Sequence, residues 1–180
     1  MNQKTLFLCG ILVPFTYISL YVLGGALRSG YSHISESVSE LLSPGAPNKK
    51  LLDIINVTFA LLLTLFGIGV FRFVMGHEQS TLIGRIGAGL IIVLGLASIG
   101  SAIFPQDATG TTRTLPGTLH IIFVFGFQIP GALLSTLLIG IWMNQTNIFP
   151  GFATYSFIST GAIVLSGILA GPTMDTPIMG

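Results

Sequence analysis

The chain has 180 residues, of which 51% are hydrophobic and only 7% charged, and its net charge is +1. Soluble domains carry about a quarter charged residues, so this composition excludes a soluble globular protein and marks an integral membrane protein. The even charge balance gives no basis for a nucleic-acid partner or for strong attraction to anionic lipid.

Hydropathy picks out five apolar runs at 5–27, 51–75, 82–104, 118–143 and 152–171, each near the about 20 residues that cross a hydrocarbon core. In lipid the backbone must be satisfied within each segment. The expected fold is therefore all-α: a polytopic transmembrane helix bundle of five spans, one domain over residues 1–180, without sheet. The first run follows Lys4 as a secretory signal would. It is longer than the roughly 7–15 residues of a signal core and no A-x-A-like site follows it, so it reads as a retained span. Cys9 within it has no partner and reads as a small packing residue.

Between the first two spans lies the longest polar stretch, residues 30–50, GYSHISESVSELLSPGAPNKK. At helical spacing Ile34, Val38, Leu41 and Leu42 share one side, His33, Glu36 and Glu40 another, and Ser35 and Ser39 fall between. This predicts a short amphipathic helix of about three turns over 34–42, lying in the interface across the bundle. Ser32 is placed to cap its start, and Ser43-Pro44-Gly45 and Ala46-Pro47 forbid its continuation.

Small residues recur in the later spans. Gly84, Ala88, Gly95 and Gly100 in the third and Gly126, Gly131 and Ser135 in the fourth predict close helix approach. Pro14 and Pro130 lie well inside spans and disturb their helices. Asp53, Arg72, Arg85 and His120 lie within about a turn of span ends, where charge is tolerated.

Because spans alternate in direction, the N-terminus and the turns at 76–81 and 144–151 share one face, side one. The 30–50 stretch, the 105–117 loop and the C-terminal tail share the other. His33, Glu36, Glu40, Asp53, Asp107, His120 and Asp175 all map to side two, leaving His77 and Glu78 on side one. Any chemistry belongs on side two. The positive-inside count is three against four; Arg72 and Arg85 flanking one short turn favour side one in the cytoplasm of a multi-pass cell-membrane protein.

The third span ends in Phe104-Pro105-Gln106-Asp107, and His120 opens the fourth. Asp107 and His120 therefore share a surface, and a carboxylate beside an imidazole would orient its tautomer as a general base. These two are the candidate catalytic pair; loop capping by Asp107 and a neutral His120 among headgroups is the structural alternative. His33, Ser35, Glu36, Ser39 and Glu40 are the candidate ligand- or headgroup-binding residues. His33, Asp107 and His120 are also candidate metal ligands, although no H-E-x-x-H or H-x-x-x-H spacing is present. No serine sits in a G-x-S-x-G elbow. No P-loop, dinucleotide fingerprint or CxxC occurs, so nucleotide and redox roles lose their usual support and the sequence leaves the cofactor unknown.

The YSHISESVSELLSPGAPNKKLLD stretch, the FPQD after span three and the His120-centred start of span four resemble the bacterial and archaeal membrane family called domain of unknown function 998, over nearly the whole chain. The family's I-S-x-L-G-like element here reads Ile34-Ser35 and Ser39-Glu40-Leu41-Leu42, with Gly45 displaced behind Ser43-Pro44. Its F-P-x-D and following His match Phe104, Pro105, Asp107 and His120. The resemblance implies the fold and the location of the site but no activity, and it implies six helices, of which the last would begin after Gly171.

Three functions compete. The first is a membrane protein whose side-two polar cap binds lipid headgroups or a small polar ligand. The second is a membrane-embedded, metal-dependent or metal-free hydrolase of a lipid or lipid-linked substrate. The third is a transporter or accessory subunit, for which the spans lack charge at mid-depth. No protein partner is inferable.

Overall fold

A computed structural model describes residues 1–170. Asp175, and the point after Gly171 at which a sixth helix would begin, lie outside them. The five apolar runs form α1 (Gln3–Leu27), α2 (Lys49–Met75), α3 (Leu82–Ile103), a fourth span and α6 (Pro150–Ala170). The fourth span is continuous from Leu115 to Thr146 but changes pitch twice: α4 (Leu115–Ile121), a π-helical segment (Ile122–Gln128) and α5 (Ile129–Thr146). All five spans are long and apolar enough to cross a membrane, and no strand occurs among the described residues.

Local sequence sets the ends. Asn2, Thr81 and Thr114 accept from the backbone N–H three residues on, satisfying donors that a helix start leaves free. The π-helical segment has a local cause. Pro130, second residue of α5, has no N–H to return to the preceding turn, and the seven residues before α5 take the wider pitch.

The helices pack in series, α1 on α2, α2 on α3, α3 on α5 and α5 on α6. Glycine allows the α2–α3 approach: a Cβ on Gly67 would lie 2.8 Å from the Ile92 nitrogen, and one on Gly95 2.7 Å from the Thr64 Cα. Gly84, Ala88, Gly100, Gly131 and Ser135 are likewise buried between helices. Gly126 is not. It lies exposed in the π-helical segment, where an added Cβ would meet only Ile122 Cγ2 of its own helix at 4.0 Å.

The side-one end is tightly packed and apolar. Val74, Ala88, Trp142, Met143 and Ala153 form its core. The Trp142 indole lies over Gly84 and donates to the Gln79 carbonyl at 3.1 Å. Apolar residues of the outer faces, such as Leu8, Phe15 and Ile18 of α1, remain exposed for lipid.

The three-turn amphipathic helix expected over 34–42 does not form. One turn closes at 32–36, where Ser32 Oγ accepts from Ser35 N and the Ser32 carbonyl from Glu36 N. An extended Ser37 follows, then a 3-10 helix over Val38–Leu42. Four serines in this short segment offer the backbone local hydrogen bonds that compete with a helix, and a segment this short does not recover the cost of nucleation. Packing decides the outcome. Leu41 is 1% exposed against Leu20 and Leu52, with Val38, Leu42 and Ile55 around them, while Ile34, expected on the same side, is 80% exposed.

Replacing Gly67 by Ala should lower the unfolding midpoint in detergent, whereas Gly89→Ala, where a Cβ meets nothing within 4 Å, should not. Both changes gain up to about 1 kcal/mol of helix propensity, so their difference isolates a clash worth about 1–3 kcal/mol. Equal midpoints would show that α2 and α3 do not depend on backbone contact there.

Candidate functional site

Among the described residues α1 makes no close backbone approach to the fourth span, and the space between them is a cavity of about 740 Å³. Tyr17, Tyr21 and Arg28 of the α1 side, Val124, Phe125 and Ile129 of the fourth span, and segment 33–40 enclose it. The Gly24-Gly25 pair seats that segment on α1. A Cβ on Gly24 would lie 2.5 Å from Leu41 Cδ1, and one on Gly25 would collide with the His33 ring.

His120 is 7% exposed and ties three parts of the chain together. Its Nδ1 lies 2.9 Å from the Phe104 carbonyl and 3.2 Å from the Ser101 carbonyl, at the end of α3. Two carbonyls can only accept, so Nδ1 carries the proton. In the neutral ring Nε2 is then the acceptor, and it takes the Ser39 hydroxyl at 3.1 Å. Below it, Gln128 donates to Ser101 Oγ at 2.7 Å and to the Ala97 carbonyl at 3.2 Å.

Glu40 is 5% exposed. Its Oε1 accepts from Gln106 Nε2 at 3.0 Å and from the Thr109 hydroxyl, which fastens segment 33–40 to the loop after α3. Arg28 holds the other flank, donating to the Glu40 carbonyl at 2.7 Å and pairing with Glu36 at 3.5 Å. Tyr31 donates to the Glu36 and Ser37 carbonyls, and burial, with Tyr21 and Glu36 adding to it, pushes its phenol up to about 12. Ser37 also lines the cavity, and its Oγ is the one buried side-chain polar atom among the described residues without a hydrogen-bond partner.

Several expectations need correction. Asp107 does not orient His120. Its carboxylate accepts from Thr114 N at 2.8 Å and Thr114 Oγ1 at 2.6 Å, and packs over Gly117 at the start of α4. A nearby helix start offers free N–H groups and a hydroxyl, so the carboxylate turns there, and the backbone carbonyls of α3 take its place at Nδ1. The metal candidates do not converge either. His33 lies exposed on Gly25 with its ring beside Tyr21 and Tyr31, and no three metal-ligating side chains gather among the described residues. His33, Glu36 and Glu40 do not share one face, because the extended Ser37 breaks the helical register between them. Ser35 is exposed, with its N–H turned to Ser32. Asp53 pairs with Lys49 at 2.7 Å, one turn back along α2.

Ser101, Gln106, Thr109 and Gln128 join the site without having been among its sequence-predicted residues. Gln128 carried a signal, as the only side-chain amide inside the fourth span between His120 and Trp142. The others do not stand out, since their role depends on the folding back of two loops.

The architecture and site define a multi-pass integral membrane protein with a cleft between its first and fourth spans, closed on one side by a polar segment. The chain belongs to the family described as protein of unknown function DUF998, whose model matches residues 11–179. Comparison with curated proteins and with solved structures gave no match.

The Thr114 hydroxyl first, then its N–H, hold the Asp107 carboxyl below its ordinary value of 3.8. A depressed carboxylate adds stability that is present above the ordinary value and lost as pH falls through the lowered one. Asp107→Asn should therefore speed amide exchange at the start of α4 at neutral pH, and the difference from wild type should vanish once pH falls well below 3.8. A difference that persists unchanged in acid would show that the carboxylate's charge is not what holds this turn.

Proposed function

We propose that this protein binds an amphiphile, a lipid or lipid-linked molecule, with its polar end under segment 33–40 and its chain between α1 and the π-helical part of the fourth span. The cavity of about 740 Å³ carries this reading. It falls within the roughly 300–1,000 Å³ of small-molecule sites. Its lining is also graded, with Arg28, Glu40, Gln106 and His120 at the loop end and the mostly apolar Val124, Phe125 and Ile129, with Gln128 among them, further along the span.

Depth supports the same reading. The fourth span has 32 residues, about 48 Å at 1.5 Å per residue, and His120 is the sixth of them. That puts the imidazole roughly 16 Å from the midpoint of the span, close to the edge of a hydrocarbon core about 30 Å thick. Lipid headgroups meet their chains at this level.

Charge narrows the headgroup. Arg28 is the only Lys or Arg side chain in the lining and is paired with Glu36, while the Glu40 carboxylate accepts from the neutral donors of Gln106 and Thr109. A neutral or cationic headgroup fits better than a phosphate monoester, which draws on several cationic donors. In this reading the N-terminal side faces the cytoplasm, supported by Arg72 and Arg85 beside one short turn.

Val124→Trp would fill the chain-binding part of the cavity, and Ile158→Trp, on the 67% exposed face of α6, serves as control. Mass spectrometry of lipid co-purifying in detergent should show at least a tenfold loss of a specific amphiphile for Val124→Trp and none for the control. Equal retention in both, or only the bulk lipid composition in wild type, would overturn the reading.

A further inference from the structure

We infer that Ser39 and His120 form a nucleophile and general-base pair that cleaves a carboxylic ester bond of the bound amphiphile. The inference rests on the binding reading above and adds a reaction to it. A serine hydroxyl is a weak nucleophile until a base takes its proton, and the base must present a lone pair, not a proton, to that hydroxyl. The geometry meets this condition. The carbonyls of Ser101 and Phe104 hold the His120 proton on Nδ1, which leaves Nε2 free to accept from Ser39 Oγ at 3.1 Å. In triads a buried carboxylate orients the imidazole; here two main-chain carbonyls at the end of α3 do so.

A second feature points to the same chemistry. Ser37 lines the cavity two residues from Ser39, and its Oγ, buried behind that surface, lacks a partner. An unused buried hydroxyl carries a desolvation cost unless something accepts its hydrogen. A donor aimed at developing charge is what the oxyanion of an ester intermediate requires. A rotation about its Cα–Cβ bond would turn the Ser37 hydroxyl to the cavity wall, where it is the donor for that oxyanion.

The reaction balances with water as the only co-reactant. Ser39 Oγ bonds to the ester carbonyl carbon as its proton passes to His120 Nε2, and negative charge gathers on the carbonyl oxygen beside Ser37. The bond from that carbon to the alcohol oxygen then breaks, and His120 gives its proton to the leaving alcohol. Water, deprotonated by His120, attacks the acyl-serine. The acid leaves and the Ser39 hydroxyl is restored. Near the hydrocarbon edge, the dyad meets the ester linkage of an acyl chain and not its methyl end.

The test uses the whole chain in maltoside micelles, an alkyl fluorophosphonate as probe of an activated serine, and monooleoylglycerol as neutral ester, with binding followed by ligand-induced thermal shift. The fluorophosphonate should attach to Ser39, located by peptide mapping, and monooleoylglycerol should be hydrolysed. Ser39→Ala should abolish both. His120→Asn keeps a donor at the Nδ1 position for the α3 carbonyls but has no base at Nε2, so at saturating monooleoylglycerol it should turn over at least about 100-fold more slowly than wild type. Ser39→Cys keeps the side chain's size, and iodoacetamide should alkylate it faster than in the double variant with His120→Asn. Hydrolysis surviving in Ser39→Ala would overturn the inference. So would wild type that binds monooleoylglycerol but neither hydrolyses it nor takes up the probe at Ser39, which leaves the binding reading standing. Loss of binding and labelling together in folded wild type would bring down both.

Discussion

Packing spans in series leaves the first and fourth facing each other across a gap, and bridging that gap is the constraint on which the side-two end of the molecule depends. Apolar side chains do not close it, since α1 and the fourth span do not approach. Two loops fold over it instead and meet through polar side chains: Ser39 on His120, and Glu40 on Gln106 and Thr109. In a site shielded from water such bonds are stronger than in solvent, and each unmade one is costly. That explains why this end of a very apolar chain holds a buried glutamate and a buried histidine.

The two ends of the bundle differ accordingly. Side one is closed by volume, with Trp142 seated over Gly84 and surrounded by Val74, Ala88 and Ala153, and its turns are short. Side two is closed by hydrogen bonds over a cavity. A bundle held rigid at one end and hollow at the other has room for a ligand without loss of its core. The π-helical segment lies along the hollow part, where span four has no α1 to pack against and a change of pitch displaces little.

The same arrangement sets the character of His120. Its position near the start of the fourth span would leave it a headgroup residue, but carbonyls at the end of α3 and the Ser39 hydroxyl enclose it. Asp107, the group best suited by charge to orient it, is occupied by Thr114 at the N-cap of α4 and does not compete. Electrostatic affinity yields here to local backbone geometry.

The sequence by itself determined the class of the protein, the five spans and the face that carries the polar groups. Span length and alternation follow from the thickness of the bilayer and from backbone groups that find no partners in lipid, and both are properties of single segments. Residues His120, Ser39 and Glu40 were legible as polar groups on one surface. Their partners were not, because Ser39 and His120 are separated by 81 positions and Glu40 and Gln106 by 66. Only the tertiary structure decided the form of residues 34–42. Their helical periodicity is a local signal, and the burial of Leu41 between α1 and α2, together with the pull of Glu40 toward Gln106, is a nonlocal one that outweighs it. Tertiary structure also decided that His120 faces a hydroxyl and not a carboxylate, since the choice depended on where the end of α3 presents its free carbonyls.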